Sequence, residues 1–118
     1  MKPTNKFLLS LALAAGITNT AVAVDLHNGI GAACNGTGTW HFVNNQTGGA
    51  AAGLLNVQFS NSNFVNVSPY KVLSSVQHFT VTTYGNNTLV NASTNLSGLL
   101  VLSDYKCVPD FCGEGEEC

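Results

Sequence analysis

Side chains able to carry out acid-base chemistry are few in the central part of this sequence. From position 26 to position 103 there is no aspartate, glutamate or arginine, and Lys71 is the only charged residue. Paired carboxylates for general acid-base catalysis or glycoside hydrolysis are therefore lacking, and a serine nucleophile has no acid here to orient a histidine. No glycine-rich phosphate loop or cofactor fingerprint follows the first 23 residues. We predict that the protein is not an enzyme and has no catalytic residue and no cofactor.

Two histidines, His41 and His78, remain as candidates for metal binding. Each lies among residues that alternate between apolar and polar, so each is expected on the solvent side of its strand. If the two strands were neighbours, the imidazoles could meet and share a metal ion, but two histidines without a third ligand make a weak site. We interpret both as surface histidines without a role and predict no metal site.

The four cysteines form an even set, which indicates a disulfide framework in an exported protein. Their spacings lack the close pairs typical of structural zinc sites. Four cysteines allow three pairings. We favour Cys34 with Cys107, because each borders a terminal strand, and this leaves Cys112 with Cys118.

Residues 1–23 have the layout of a secretory signal peptide. Lys2 and Lys6 precede an apolar run at 7–17, and small residues end the segment at Ala23. The run is shorter than the roughly 20 apolar residues of a membrane anchor. We expect cleavage after Ala23 and a protein that is secreted, periplasmic or on the cell surface. The remaining chain divides into an N-terminal arm (24–33), a β domain (34–107) and an acidic, cysteine-containing tail (108–118).

The charge of the mature chain limits its partners. Two lysines against six carboxylates give a net charge of −4, and there is no arginine. Such a chain has little with which to neutralise phosphates, so nucleic acid and anionic membranes are excluded as partners. Most carboxylates lie in the tail, whose spacing matches no calcium-binding loop. We interpret the tail as a solvated end, with a loose divalent-cation site as the alternative.

Alternation with a period of two predicts strands throughout the β domain, and no helical periodicity appears outside the signal peptide. Trp40 and Phe42 share one face of the first strand, and the most β-like run covers residues 76–84. A turn is predicted at 85–87 because of its Gly-Asn sequence. Six or seven short strands in one small domain predict an all-β fold, a disulfide-stabilised antiparallel β-sandwich of immunoglobulin-like type, with a small barrel as the alternative.

Three stretches carry a resemblance to a known kind of protein: GTWHFVNNQ at 38–46, VQHFTVTT at 76–83 and LVLSD at 100–104, ahead of Cys107. Together they resemble small secreted bacterial β-sandwich modules, immunoglobulin-like and of unassigned function. The resemblance is one of overall pattern. It implies no catalytic or binding residues, and the acidic tail is not part of it.

Two classes of function fit these observations. The first is a non-catalytic structural or adhesive module that acts through protein or cell-surface contacts, with self-association or strand addition at a sheet edge. The second is a carbohydrate-binding module, in which Tyr70 and Tyr84 stack on sugar faces while Asn and Gln side chains bind hydroxyls. Partial core packing is the simpler account of these tyrosines. Two exposed rings lying flat in one groove would favour the sugar binder, and the sequence alone favours the structural module.

Overall fold

The computed structural model describes residues 23–61 and 65–109. The predictions for residues 1–22, for Cys112 and Cys118, and for the tail beyond residue 109 lie outside this part of the chain. The described residues form strands and no helix, so they include no helix that could cross a membrane. The all-β prediction is confirmed. In chain order the strands are β1 (Val24–Asp25), β2 (Ala33–Asn45), β3 (Leu55–Phe59), β4 (Val65–Val67), β5 (Lys71–Val72), β6 (Val76–Thr83), β7 (Asn86–Thr94) and β8 (Leu99–Pro109).

The eight strands join in one antiparallel sheet. Its order is β4-β3-β7-β2-β6-β5, with β8 paired to β2 and β1 paired to β7. The antiparallel pairing agrees with the sequence prediction. The sheet curls into a half-barrel around an apolar interior, so the sandwich of immunoglobulin-like type stays a prediction.

The curl has its corner where β6 passes into β7. The register of β2 with β6 continues without a shift into β7, so that Asn35 lies opposite Asn86. At the corner the N–H of Gly36 donates to the C=O of Gly85 at 3.0 Å, and both glycines have positive φ, 148° and 82°. The predicted turn at 85–87 is therefore wrong. The chain bends there without reversing, and β2 pairs with it on both sides of the bend.

The interior is filled by one face of each long strand, as the period of two predicts. Trp40 and Phe42 are fully buried, and the ring of Trp40 lies 4.9 Å, centroid to centroid, from that of Phe59 on β3. Because β2 and β3 are not paired strands, this contact crosses the hollow of the curled sheet. The other buried apolar residues are Cys34, Val43, Leu55, Val57, Phe79, Val81, Leu89, Ala92, Leu100 and Leu102.

The predicted disulfide between Cys34 and Cys107 is present, with the Cα atoms 5.6 Å apart. Cys107 lies opposite Gly38 on the β2–β8 ladder, four residues beyond Cys34. Four extended residues span about 13 Å, so β2 must bend between 34 and 38 to bring the two cysteines together. The bridge thus ties the corner of the sheet to the far end of β8.

Residues 24–33, predicted to be an arm, contribute to the sheet. β1 pairs with β7, and the N–H of Leu26 donates to the C=O of Ala92 at 2.8 Å. Leu26 also forms a parallel bridge with Leu100 and packs against the core. At the other end, β8 extends two residues into the predicted tail, to Pro109.

Candidate functional site

His41 on β2 and His78 on β6 meet on the outer face of the sheet. β2 and β6 are neighbours, and His41 lies opposite Thr80, one diagonal step from His78. Nε2 of His41 is 3.1 Å from Nδ1 of His78. The two half-buried rings lie within 14° of parallel, with centroids 5.3 Å apart. The two histidines therefore lie on adjacent strands, which is the condition under which they could form one site.

Tyr70 brings a third polar atom to the pair. Its N–H donates to the C=O of His78 at 2.9 Å, which fixes its position just before β5. Its phenolic oxygen is 3.1 Å from the same Nε2 of His41. We call His41, His78 and Tyr70 the histidine–tyrosine cluster. No sequence pattern indicated this contact, because only the pairing of β5 with β6 places Tyr70 there.

Burial and two neighbouring positive charges favour a neutral His78. The pKa of His78 is lowered from 6.5, first by partial burial and then by the positive charges of His41 and Lys71. Lys71 lies opposite His78 on the β5–β6 ladder, and Asp104 lies opposite His41 on β8. Asp104 is the first residue after the stretch that lacks acids, and no sequence signal indicated that it would lie beside His41.

Few side chains of the types that usually bind metal ions lie around the cluster. Within residues 23–61 and 65–109, no three side chains of His, Cys, Asp or Glu are grouped closely enough to hold a metal ion. The third donor that the structure does provide is the phenol of Tyr70.

Tyr70 and Tyr84, the two tyrosines predicted to contact a ligand, lie in different places. Their exposed fractions are 60% and 72%. Tyr70 packs against the two histidines, whereas Tyr84 follows β6, six residues or about 20 Å of extended chain beyond His78. The two rings therefore do not form one flat platform.

Tyr84 lines an open cleft of about 220 Å³, together with Asn61, Val65, Thr82, Thr83 and Asn87. The side-chain amides of Asn61 and Asn87, which line the cleft, already make hydrogen bonds within the fold. Asn87 Nδ2 donates to the C=O of Tyr84 at 2.9 Å, and Asn87 Oδ1 accepts from the N–H of Asn61 at 3.2 Å. Nδ2 of Asn61 donates to the C=O of Asn86 at 2.6 Å.

A different feature, for which the sequence holds no local signal, is the edge of β8 that faces away from β2. As far as Leu102 this edge is occupied. The C=O of Leu100 accepts from the N–H of His27 at 2.8 Å. The side chain of Asn28 donates to the C=O of Leu102 at 3.2 Å and accepts from its N–H at 2.9 Å, in place of a neighbouring strand.

Beyond Leu102 the same edge has no strand beside it within the described residues. The register shifts at Ser103, because Leu102 lies opposite Phe42 and Asp104 lies opposite His41. Since backbone groups alternate in direction along an antiparallel strand, those of Tyr105 and Cys107 face away from β2. We call the segment from Ser103 to Pro109, all of it exposed, the β8 edge.

No protein-family model, no curated protein and no solved structure matches this chain.

Proposed function

We propose that the mature chain is a secreted, non-catalytic structural or adhesive module that binds an extended segment of a protein partner through the β8 edge. The observation that carries this proposal is the direction of the backbone groups of Tyr105 and Cys107. An edge of this kind is a template for another strand, whose main chain supplies the hydrogen bonds.

The surroundings of the β8 edge support strand addition. The disulfide at Cys107 and the stacking of Tyr105 on Trp40, with ring centroids 4.5 Å apart and planes within 6°, hold the strand in its extended form. A partner strand therefore meets an edge that is already ordered, which lowers the entropic cost of binding. Another surface protein or a second copy of the chain would fit, whereas nucleic acid and lipid surfaces are disfavoured by the net charge.

A carbohydrate-binding module is the second candidate function. The exposed ring of Tyr84 beside an open cleft favours it. The separation of Tyr84 from Tyr70 weighs against it, because a sugar platform gains most of its affinity from several rings in one groove.

Two variants of Tyr105 test the role of the β8 edge. Tyr105→Pro and Tyr105→Ala lose the same ring from Trp40, but only proline also removes the backbone N–H that faces away from β2. The oxidised mature protein would be incubated with producing cells and, separately, with insoluble polysaccharides. We expect the wild type and Tyr105→Ala to be retained on cells and Tyr105→Pro to be lost. Urea unfolding of both variants would verify that each is folded.

Equal retention of the two Tyr105 variants would contradict the proposal. Retention on one polysaccharide, competed by its soluble sugar and abolished by Tyr84→Ala, would instead establish the carbohydrate-binding function.

We further propose that residues 1–23 direct export and are removed, and that the curled sheet is a variant of the immunoglobulin-like sandwich. The contact of Trp40 with Phe59 across the interior supports two facing layers. Protein from the culture medium whose intact mass equals that of a chain starting at Val24 would support export with cleavage after residue 23. An experimental structure that lacks two layers about 10 Å apart would contradict the second proposal.

A further inference from the structure

The histidine–tyrosine cluster places two polar atoms around one ring nitrogen. Nε2 of His41 lies 3.1 Å from Nδ1 of His78 and 3.1 Å from the phenolic oxygen of Tyr70. In a neutral imidazole, Nε2 either carries one hydrogen or presents one lone pair. It therefore cannot make a full hydrogen bond to both partners at once, and this arrangement is one that a shared cation would satisfy better.

The spacing of the two nitrogens suits ligands of a single ion. Imidazole nitrogens bind zinc-like ions at about 2.0–2.1 Å, so two adjacent ligands around one ion lie about 2.9–3.4 Å apart. The observed 3.1 Å falls in this interval. The two rings lie within 14° of parallel, with centroids 5.3 Å apart. The ladder between β2 and β6 keeps the two backbones in place.

We propose that His41 Nε2 and His78 Nδ1 bind one divalent transition-metal ion, with the oxygen of Tyr70 as an additional ligand. Two imidazoles favour Cu²⁺, Ni²⁺ and Zn²⁺ over Ca²⁺ and Mg²⁺, and Cu²⁺ binds most tightly to such donors. Binding needs both nitrogens unprotonated, with the ring hydrogens on His41 Nδ1 and His78 Nε2. The site lies on the outer face of β2 and β6.

Titration of the metal-free mature protein with CuSO₄ and ZnSO₄, followed by calorimetry, tests the site. We expect one ion per chain at the cluster. His41→Gln and His78→Gln should each weaken Cu²⁺ binding by more than the roughly 10–100-fold that loss of an outer-shell partner costs. Tyr70→Phe should have a smaller effect in the same direction. His27→Gln, which removes an exposed histidine elsewhere, is the matched control and should leave the affinity unchanged.

Electron paramagnetic resonance of the Cu²⁺ complex gives a second measurement that a purely structural role would not affect. We expect hyperfine splitting from two imidazole nitrogens in the wild type and in His27→Gln, and loss of one nitrogen in His41→Gln and in His78→Gln. The proposal would be overturned by a Cu²⁺ affinity and nitrogen count that are unchanged in His41→Gln and His78→Gln. It would equally be overturned if His27→Gln alone abolished binding.

Discussion

Gln77 is a single buried polar side chain that fixes the loop before β3. It is fully buried, and its Oε1 accepts from the N–H of Gly53 at 2.9 Å. Its Nε2 donates to the carbonyl oxygens of Ala50 and Ala51 at 3.2 and 3.0 Å. One amide thus satisfies three backbone groups of a loop that has no ladder of its own.

We predict that Gln77→Ala lowers the free energy of unfolding by about 2 to 3 kcal/mol, because it leaves these backbone groups unpaired. Gln58→Ala removes the same side chain from a half-buried position on β3 and should change stability by no more than about 0.5 kcal/mol. Urea denaturation of the two variants measures the difference. Similar losses in both would contradict the role assigned to Gln77.

The pKa of His78 predicts a pH dependence of stability in the metal-free protein. Because this pKa is lower in the folded state, the unfolded chain binds the proton more tightly, and stability falls as the pH drops below the ordinary value of 6.5. Thermal unfolding in EDTA between about pH 8 and pH 5 should show this fall. It should be smaller in His78→Gln and unchanged in His27→Gln. An identical profile in His78→Gln would show that another group causes the fall.

At the scale of single residues, the sequence was informative about faces and uninformative about partners. Alternation placed Trp40 and Phe42 together on one face of their strand, because the period of a strand is a local property. The contacts of Gln77 with residues 50–53 and of Tyr70 with His41 depend on strand pairing. They join positions about 25 to 30 residues apart, and no local pattern could indicate them.

The corner at Gly85 is the element on which the shape of the sheet depends. Its φ of 82° lies in the left-handed region, and a Cβ there would meet no neighbouring atom. The requirement for glycine is therefore one of backbone conformation and not of space.

We predict that Gly85→Ala costs about 1 to 2 kcal/mol of stability from this φ alone, and that Gly85→Asn costs less, because asparagine tolerates the left-handed region better. Urea unfolding midpoints of the two variants measure these costs. A neutral or stabilising Gly85→Ala would contradict the left-handed conformation at the corner.

Gly85 also shows why the sequence predicted this element incorrectly. Gly-Asn is typical of hairpin turns, and local chemistry alone favours reversal of the chain at 85–87. The structure instead pairs both sides of the bend with β2, which is long enough, at 13 residues, to run past it. Long-range pairing therefore overrides the local turn signal here.

At the scale of the whole molecule, the bridge between Cys34 and Cys107 closes most of the described chain into one loop. The cysteines are 73 residues apart. A loop of this length stabilises a fold by about 4 kcal/mol through the entropy of the unfolded chain. For a domain of this size that is a large share of a typical total stability of roughly 5–15 kcal/mol.

We predict that the double variant Cys34→Ala/Cys107→Ala loses about 4 kcal/mol of unfolding free energy. Urea unfolding of the double variant and of the wild type, with the oxidation state of each verified by intact mass, measures this. A loss below about 1 kcal/mol would show that the bridge does not constrain the fold as described.

The all-β class and the pairing of Cys34 with Cys107 could be predicted from the sequence, since both follow from local strand patterns and the positions of the cysteines. The order of strands and the curl could not, because they depend on which of several similar apolar faces meet. The β8 edge depends in turn on that order. The β8 edge starts where the hydrogen bonds of His27 and Asn28 to β8 end, and these contacts depend on the tertiary structure.

The most direct test of the proposed function is residue-resolved amide hydrogen exchange along β8, measured on the free oxidised protein and again on protein recovered from producing cells. In the free protein we expect fast exchange at Tyr105 and Cys107, which face away from β2, and slow exchange at Lys106, which faces it. On cells, Tyr105 and Cys107 should become protected while Lys106 stays slow. Protection of Tyr105 and Cys107 already in the free protein, or none gained on cells, would contradict binding through the β8 edge.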